Sequence, residues 1–424
     1  MNKKIIIIVC FLLIVAMCFS VKGNYFVNTK NNIDKNEYDN KKYENMLSMM
    51  LETSAGTGEY QETLASSWPT KGYAFNENLS ICENGSNLSW DNINKKVIME
   101  GNSADKCYVY FDVKPLETLA DHIKSLYTTQ GANNLYLHDS TLENGAGDNS
   151  YRFAGPSETT NNFVCFGYDS KDGSCPTDNL YRIIGVFNGE VKLIKYDYAK
   201  STLLGTDGDY VMTYKVAGYH GTNQGQNSNA EIGTYYWNYF NGGASTNDWS
   251  ESRLNTVNLN KNYLYNMGEK WSKKISDHTW KVGGNTVNNI ANQTAPNAYE
   301  NEINNPATNK TVNAKVGLMY VSDYGYAASS SSWSTALYSY STVIANNWMH
   351  MGLIEWTLEP QTASSDYAFK VSYSGNISQG NVRTGLQNSY DEYSPGATRP
   401  VFYLKSVIGY SAGSGTISSP YILE

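Results

Sequence analysis

The clearest hydrophobic pattern along the chain lies in residues 181–197, where two runs rich in β-branched and aromatic residues flank Asn188-Gly189. Asn-Gly between such runs predicts a β-hairpin, because both residues of a two-residue turn adopt positive φ. The short turn fixes the pairing of the strands. The predicted pairs are Val186 with Val191, Ile184 with Leu193, and Arg182 with Lys195. Apolar residues occupy both faces, which predicts central strands covered on two sides.

An almost unbroken apolar run extends from Ile5 to Val21, directly after Met-Asn-Lys-Lys. Two lysines before an uncharged apolar segment predict an export signal in residues 1–23. The segment is either cleaved as a signal peptide or retained as an N-terminal membrane anchor. Lipidation at Cys18 is a third alternative, although Met17 stands where a small residue is preferred. We therefore expect an extracytoplasmic protein, secreted or anchored to the cell membrane by this segment.

The periodicity then changes along the N-terminal third of the chain. Residues 24–71 are predicted to form a stalk, in which the apolar spacing from Glu37 to Glu52 indicates a short amphipathic helix. Residues 72–114 are predicted to form a small β-domain of short strands separated by turn residues. The expected core residues of this domain are Trp90, Ile98 and Val109.

The remainder of the chain is predicted to form a connecting segment and one larger domain. Residues 115–175 are predicted to contain a helix that begins after Pro115, followed by short strands. Residues 176–424 are predicted to form a mixed α/β domain built on the hairpin, with residues 283–313 as a long surface loop and residues 316–321 as a strand. The predicted fold class is therefore α+β, with a disulfide-clipped small β-domain before the larger domain.

Cysteine usage agrees with export. The chain has six cysteines, of which two lie in the N-terminal apolar run. The other four are Cys82, Cys107, Cys165 and Cys175. Pairing of Cys82 with Cys107 and of Cys165 with Cys175 is favoured, because each pair brackets a compact segment. A zinc site is the alternative, but the closely spaced cysteine pairs and companion histidines are missing. Disulfides are typical of an oxidising compartment.

Composition and motifs exclude several classes of function. The net charge of −8, with no basic cluster beyond the N-terminus, argues against nucleic-acid binding. The five histidines are scattered, and metalloprotease, phosphate-loop and serine-nucleophile motifs are missing. The sequence Asp207-Gly208-Asp209 suggests a calcium-binding site, but the full spacing of a calcium-binding loop is missing. No cofactor or metal is therefore predicted.

Several motifs occur in an order that gives the sequence a family resemblance. They are Tyr181–Val186, Trp249–Asn255, Lys315–Ser322, Trp356, Thr398–Leu404 and Gly415–Tyr421. In this order they resemble a domain of unknown function common at the C-terminal end of surface proteins from low-GC gut bacteria, over residues 150–424. The late Arg-Pro-Val-Phe-Tyr-Leu strand also resembles the ending of C-type-lectin-like and formylglycine-generating-enzyme-like domains. The resemblance implies a mixed α/β fold and, because its motifs are structural, no particular activity.

Arginine is rare beside lysine in this chain. An arginine in such a sequence indicates a site that needs a planar group with several donors. Arg182, Arg253 and Arg399 are therefore predicted to be interior braces, meaning buried arginines hydrogen bonded to carboxylates or carbonyls.

The leading functional hypothesis is a surface-displayed binding or adhesion protein, with a cell-surface or host glycan or protein as its partner. Exposed aromatic side chains would stack on the ligand, although each Trp also fits a core position. The candidates are Trp333, Trp348, Trp356, Tyr373 and Tyr390. The alternatives are a purely structural envelope protein and an extracellular hydrolase acting on cell-wall or host polymers. The candidate carboxylates of the hydrolase are Glu355, Glu359 and Asp366.

Overall fold

A computed structural model describes most of the chain beyond its N-terminal segment. The described residues are 47–63, 68–69, 72–91, 94–102, 104–114, 117–170, 173–216, 230–239, 246–285, 290–383 and 395–424. The predicted export signal and most of the predicted stalk lie outside them. Within these ranges, no helix is both long and apolar enough to cross a membrane. The chain divides into two compact units, residues 1–116 and residues 117–424.

Unit 1 is a small β-structure organised around its last strand. Its strands are β1 (Leu47–Glu52), β2 (Tyr60–Thr63), β3 (Tyr73–Phe75), β4 (Ile81–Cys82), β5 (Asn87–Asp91), β6 (Lys96–Glu100) and β7 (Cys107–Val113). The sheet order is β2-β1-β7-β3, β4 also pairs with β7, and β5 and β6 form a separate hairpin. Alternate residues of β7, namely Cys107, Val109 and Phe111, are buried, as expected for a strand with one face on the core.

Two expectations for unit 1 are wrong. Residues 47–52 form a strand and not the end of an amphipathic helix, because they pair in parallel with β7 and this pairing outweighs the helical spacing. In β6, Val97 and Met99 are buried in place of Ile98, because successive residues of a strand point to opposite faces.

The described residues of unit 2 form seventeen further strands. They are β8 (Leu135–Leu137), β9 (Tyr151–Phe153), β10 (Phe163–Cys165), β11 (Leu180–Phe187), β12 (Glu190–Lys195), β13 (Tyr210–Val216), β14 (Ala230–Tyr235), β15 (His278–Lys281), β16 (Thr311–Ala314), β17 (Val316–Gly317), β18 (Glu355–Pro360), β19 (Tyr367–Val371), β20 (Ile377–Asn381), β21 (Gly396–Ala397), β22 (Val401–Leu404), β23 (Tyr410–Ala412) and β24 (Ile422–Leu423). This mixture of strands with few helices confirms the predicted α+β class.

The helices of unit 2 are short. The α-helices are α1 (Leu119–Ser125), α2 (Ser201–Leu204), α3 (Leu264–Met267), α4 (Glu269–Ser272), α5 (Ala295–Tyr299) and α6 (Val321–Tyr326). Two segments are π-helical, Leu254–Tyr263 and Glu300–Asn304. The 3₁₀ turns are Ala132–Asn134, Thr177–Asn179, Ile290–Asn292, Ser330–Ser332, Leu337–Thr342 and Ile344–Asn346.

Two larger sheets organise unit 2. One has the order β17-β22-β12-β11-β9-β8, with β10 also paired to β11, and the other has the order β13-β14-β21-β18-β19-β20. The predicted hairpin is the β11–β12 pair in the middle of the first sheet. Its side chains are buried on both faces over most of its length, which confirms that these strands are central.

The predicted register of the hairpin is correct only near its turn. Val186 pairs with Val191, but the register shifts between Ile183 and Gly185, so that Arg182 pairs with Ile194 and not with Lys195. This β-bulge inserts one extra residue into β11. A Cβ atom at Gly185 would lie 2.2 Å from the carbonyl oxygen of Tyr151 in β9, so the close approach of β9 requires glycine here.

Two predicted segments differ from the structure after residue 283. The expected surface loop over residues 283–313 contains α5 and the π-helical segment after it, with Tyr299 and Glu302 buried. The expected strand over residues 316–321 ends at Gly317, because Val321 begins α6. The side chain of Asp323 accepts the backbone N–H of Tyr320 and thereby caps this helix.

Both predicted disulfides are present. Cys82 of β4 is bonded to Cys107 of β7, and Cys165 is bonded to Cys175 across a ten-residue separation. The local pairing expected from the sequence is therefore confirmed.

Candidate functional site

The bulge in β11 places two cations on either side of a residue without a side chain. Gly185 pairs with Arg152 of β9 on one side and with Lys192 of β12 on the other, and Lys192 pairs in turn with Tyr403 of β22. Directly paired residues project from the same face of a sheet. The row Arg152, Gly185, Lys192 and Tyr403 therefore forms one surface near the turn end of the hairpin.

This surface is the floor of a cleft of about 310 Å³. The hairpin turn, the β15 strand and the segments that carry α5 and α6 surround it. Its lining residues are Asp148, Ser150, Arg152, Phe187, Asn188, Glu190, Lys192, His278, Thr279, Lys281, Tyr299, Ile303, Tyr320, Ser322, Asp323 and Tyr403. The size falls at the lower end of the range for small-molecule sites, and the lining is unusually rich in charged and hydroxyl groups.

One wall of the cleft carries an ion pair that is fully connected by hydrogen bonds. Arg152 Nη2 donates to Asp148 Oδ2 at 2.6 Å, and Arg152 Nε donates to Ser150 Oγ at 2.8 Å. The hydroxyl of Tyr299 donates to the same Asp148 oxygen at 2.8 Å. Burial raises the pKa of Asp148, but the charge of Arg152 and these hydroxyls outweigh burial and hold the pKa well below its ordinary value. Asp148 is therefore ionised at neutral pH.

The floor carries a second ion pair, between Lys192 and Asp323. Lys192 Nζ lies 2.6 Å from Asp323 Oδ2, and both side chains are almost completely buried. Burial lowers the pKa of the Lys192 ammonium, and the attraction of Asp323 offsets part of that effect. The cationic and anionic members of the two pairs balance each other, so they leave the cleft without a strong field of one sign.

Two ring groups beside these pairs are neutral and available for hydrogen bonding. The rings of His278 and Tyr403 stack with centroids 3.8 Å apart. Burial, assisted by the charge of Lys192, lowers the pKa of His278 to about 4, so its imidazole is neutral at physiological pH. Burial also raises the pKa of Tyr403 well above its ordinary value. Among the described residues, neither ring nitrogen of His278 nor the hydroxyl of Tyr403 has a hydrogen-bond partner.

A pair of buried carboxyl groups interacts with this site. Glu302 accepts the backbone N–H groups of Val321 and Ser322, each at 3.0 Å. Glu359 is also buried, and in the described part of the chain its Oε1 has no hydrogen-bond partner. Burial raises the pKa of both carboxyls, and the charge of Glu302 raises that of Glu359 further. Both carboxyls therefore retain a proton to higher pH than exposed carboxyls do.

The three tryptophans predicted to stack on a ligand lie in the protein interior. Trp333, Trp348 and Trp356 are buried, and each indole N–H donates to a backbone carbonyl, those of Ala328, Phe153 and Tyr235 respectively. A buried Trp with a satisfied N–H stabilises the core. Their prediction as exposed binding residues is wrong, because large aromatic area favours burial over display.

The two tyrosines of the predicted binding surface have different outcomes. Tyr373 is 72% exposed and does not line the cleft. Tyr390 lies outside the described residues.

The prediction of interior arginine braces is correct for two of the three arginines. Arg399 is buried and donates from Nε and Nη2 to the two oxygens of Glu355, at 2.7 and 2.8 Å. Arg182 is buried and donates to Asn162 Oδ1 at 2.6 Å and to the carbonyl of Thr160 at 2.8 Å. Arg253 is exposed, and its prediction as an interior brace is wrong.

Glu355, Glu359 and Asp366, the carboxylates proposed for a hydrolase, do not line the cleft. Glu355 is held by both donors of Arg399 in the interior, and Glu359 is buried with a raised pKa. Asp209 belongs to the Asp207-Gly208-Asp209 sequence that was considered for calcium. It is buried and accepts the backbone N–H of Leu254 at 3.1 Å. Among the described residues, Cys82, Asp105 and Cys107 form the one close cluster of metal-ligand types, and its two sulfur atoms are joined in a disulfide.

Sequence reasoning did not find the cleft. Its residues come from segments that are far apart in the chain, and the bulge that aligns Arg152 with Lys192 has a weak sequence signal. That signal is Gly185 inside a strongly β-forming run, which is typical of a bulge or of a close backbone approach.

Comparison with known proteins adds no relative to this picture. No family model, no curated protein and no solved structure matches the chain.

Proposed function

We propose that this protein is an extracytoplasmic binding protein that holds an uncharged, hydroxyl-rich ligand, of the glycan class, in the cleft beside the hairpin turn. The observation that carries the proposal is the stacked pair of His278 and Tyr403. In the described part of the chain their polar atoms have no protein partner, and they border the cleft. A neutral imidazole provides one donor and one acceptor, and a phenol provides both from one atom.

The charges of the cleft also support a neutral ligand. Asp148 and Asp323 are already engaged by Arg152 and Lys192. Removing either partner from a buried ion pair is unfavourable, so an ionic ligand gains little by competing for them. A ligand that only donates to and accepts from hydroxyl and imidazole groups leaves both pairs intact.

Two features of the chain support a location outside the cytoplasm. The four cysteines beyond the N-terminal segment form two disulfides, which persist in oxidising compartments. The apolar run from Ile5 to Val21 supplies the export signal or the membrane anchor. A binding protein displayed on the cell surface, with a cell-surface or host glycan as its partner, combines these features with the cleft.

The proposal is tested by screening the protein against a glycan array and measuring Kd for any hit by calorimetry. We expect His278→Ala and Tyr403→Phe each to weaken binding about tenfold, the effect of losing one hydrogen-bonding group of about 1.4 kcal/mol. Tyr403→Phe is the sharper variant, because it removes one oxygen atom and retains the ring stack.

Tyr373→Ala is the matched control, since it removes an exposed tyrosine outside the cleft. Full binding by Tyr403→Phe and His278→Ala, or loss of binding only in Tyr373→Ala, would show that the ligand binds elsewhere. A protein that binds no glycan on the array contradicts the proposed ligand class.

A further inference from the structure

Lys192 differs from the buried Arg152 and Arg399 by having a nucleophilic side chain in contact with a carboxyl group. Its Nζ lies 2.6 Å from Asp323 Oδ2. Because Cγ is bonded to that oxygen, the amine is near the distance of about 3–3.5 Å from which attack begins. The buried Arg152 and Arg399 also contact carboxylates, but a guanidinium does not lose its proton and is not a nucleophile here.

Aromatic rings surround this pair on its protein side. Lys192 Nζ lies 4.8 Å from the ring centroid of Tyr320, and the rings of Tyr403, Phe187 and Trp280 lie between 5.4 and 5.8 Å away. In such a low-dielectric environment the neutral amine of Lys192 gains stability relative to its ammonium form, which is why burial lowers its pKa. Proton transfer between these groups yields the reactive forms of both.

Groups that assist acyl transfer are also present. The backbone N–H of Tyr320 donates to Asp323 Oδ2 at 2.9 Å, so it opposes negative charge that develops on this oxygen. The Glu302 carboxyl is buried and interacts electrostatically with both Lys192 and Asp323. Glu302 accepts the backbone N–H groups of Val321 and Ser322, the two residues before Asp323, so it is the carboxyl next to this segment that can carry a proton between the amine and the leaving oxygen. The cleft itself borders Lys192 and Asp323 and gives a released water molecule a way out.

We propose that Lys192 and Asp323 form an intramolecular isopeptide bond, with Glu302 as the proton carrier. Lys192 Nζ gives one proton through Glu302 to Asp323 Oδ1, so that Oδ2 stays unprotonated, and then attacks Cγ. The Cγ–N bond forms, and the Cγ–O bond to the protonated oxygen breaks. That oxygen takes a second proton from the nitrogen through Glu302 and leaves as water. One proton stays on the amide nitrogen, Oδ2 becomes the amide oxygen, and no oxidant or external reactant is needed.

The bond would tie β12 to α6 across a sequence separation of 131 residues. It replaces two buried charges by one neutral amide, which removes the cost of keeping both ions out of water. The inference does not depend on the proposed ligand, since it concerns the floor of the cleft and not the free groups of His278 and Tyr403.

Intact mass spectrometry of the full chain, after reduction of the disulfides and denaturation, tests the proposal. We expect a mass about 18 Da below that of the unlinked chain, the loss of one water molecule. Proteolysis should give a branched peptide that joins the segment of Lys192 to the segment of Asp323. Because this measurement uses the unaltered protein, it does not depend on the folding of any variant.

Three variants identify the participants. Lys192→Arg keeps the positive charge without the nucleophile and should restore the unlinked mass, and Asp323→Ala should do the same. Glu302→Gln should slow bond formation by roughly a hundredfold, the scale of general acid–base catalysis, and give a mixture of linked and unlinked chains. Lys195→Arg is the matched control, because Lys195 is equally buried but donates to the backbone carbonyl of Asp178.

The outcomes separate clearly. An unaltered chain at the unlinked mass, with the two peptides recovered separately, overturns the proposal and leaves a simple ion pair. Persistence of the mass loss in Lys192→Arg would mean that the water is lost elsewhere and also overturns it. Failure of glycan binding in the presence of the cross-link contradicts the proposed function alone.

Discussion

The buried ion pairs Arg399–Glu355 and Lys192–Asp323 of unit 2 differ in what surrounds them. Arg399 binds both oxygens of Glu355 and also the carbonyl of Met349 at 2.7 Å, between strands of the two larger sheets. The Lys192–Asp323 pair has one short contact, an aromatic shell and the cleft beside it. The Arg399–Glu355 pair lies in the interior and is called the closed pair below. The Lys192–Asp323 pair borders the cleft and is called the adjustable site.

This difference indicates separate roles for the two pairs. A bidentate arginine with its remaining donors on backbone carbonyls fixes the relative position of the strands that carry it. The Lys192–Asp323 pair has a single contact and lies next to a cleft and near two further buried carboxyls. Its protonation can change, because its charges respond to neighbouring groups. The comparison therefore separates a structural brace from a site where chemistry can occur.

The largest expected effect comes from breaking the closed pair. Arg399→Met leaves Glu355 buried without its partner, and we expect a loss of about 3–5 kcal/mol in the free energy of unfolding, measured by urea denaturation. The double variant Arg399→Met with Glu355→Leu should recover most of this loss, because it removes both charges. A small loss in the single variant would show that the pair is not a brace.

A smaller effect is expected when a second brace loses its planar geometry. Arg182 donates to Asn162, Ser157 and the carbonyl of Thr160, an arrangement that an ammonium group cannot reproduce. Arg182→Lys should lower the free energy of unfolding by about 2 kcal/mol through the donors lost to buried acceptors. The exposed Arg253 is the control, and Arg253→Lys should change stability by less than about 0.5 kcal/mol. Equal effects of the two variants would contradict the distinction between them.

The stability of unit 2 should respond to pH through Glu359, which lies near the Lys192–Asp323 pair of the adjustable site. Glu359 has a higher pKa in the folded chain than in the unfolded chain, so the folded state binds more protons and stability falls as pH rises above the ordinary carboxyl range. Glu359→Gln should reduce this fall by up to about 1.4 kcal/mol per pH unit. Urea denaturation between about pH 7.5 and 8.5, above the range in which the histidines of the unfolded chain titrate, measures this change.

This pH window avoids the opposite contribution of the histidines. Burial lowers the pKa of His278 and His350 to about 4, so their contribution to stability rises with pH and is complete above the ordinary histidine value. A wild-type slope that Glu359→Gln leaves unchanged would show that this carboxyl is already ionised at neutral pH.

The smallest effect is expected at the exposed tyrosine. Tyr373→Ala should change the free energy of unfolding by less than about 0.5 kcal/mol and leave the two ion pairs intact. Thermal unfolding followed by circular dichroism is sufficient to check it. A larger loss would place Tyr373 in a contact that its exposure does not show.

Local signals in the sequence predicted much of this architecture. The Asn-Gly turn and the flanking apolar runs predicted the central hairpin, and the spacing of Cys82 with Cys107 and of Cys165 with Cys175 predicted both disulfides. These features are determined by residues that are neighbours in the chain. The register beyond Val186 was wrong, because the bulge depends on the approach of Tyr151 from another strand.

The sequence did not predict the cleft for the same physical reason, which is that its residues meet only in the folded chain. Trp348 and Trp356 were candidates for display, but their burial depends on strands and loops brought together only by the fold. The contact between Lys192 and Asp323 joins residues that no periodicity relates. Side-chain environments of this kind follow from tertiary packing, which a single sequence does not specify.

The two-residue turn at Asn188-Gly189 also bears on the order of folding events. A hairpin closed by so short a loop forms in about 1–10 μs, whereas contacts between distant segments must first overcome the entropy of closing a long loop. We therefore expect the hairpin that carries Lys192 to form before α6 delivers Asp323. A covalent link between the two could form only after this late contact, so its presence in a purified chain would record that the chain had reached its folded state.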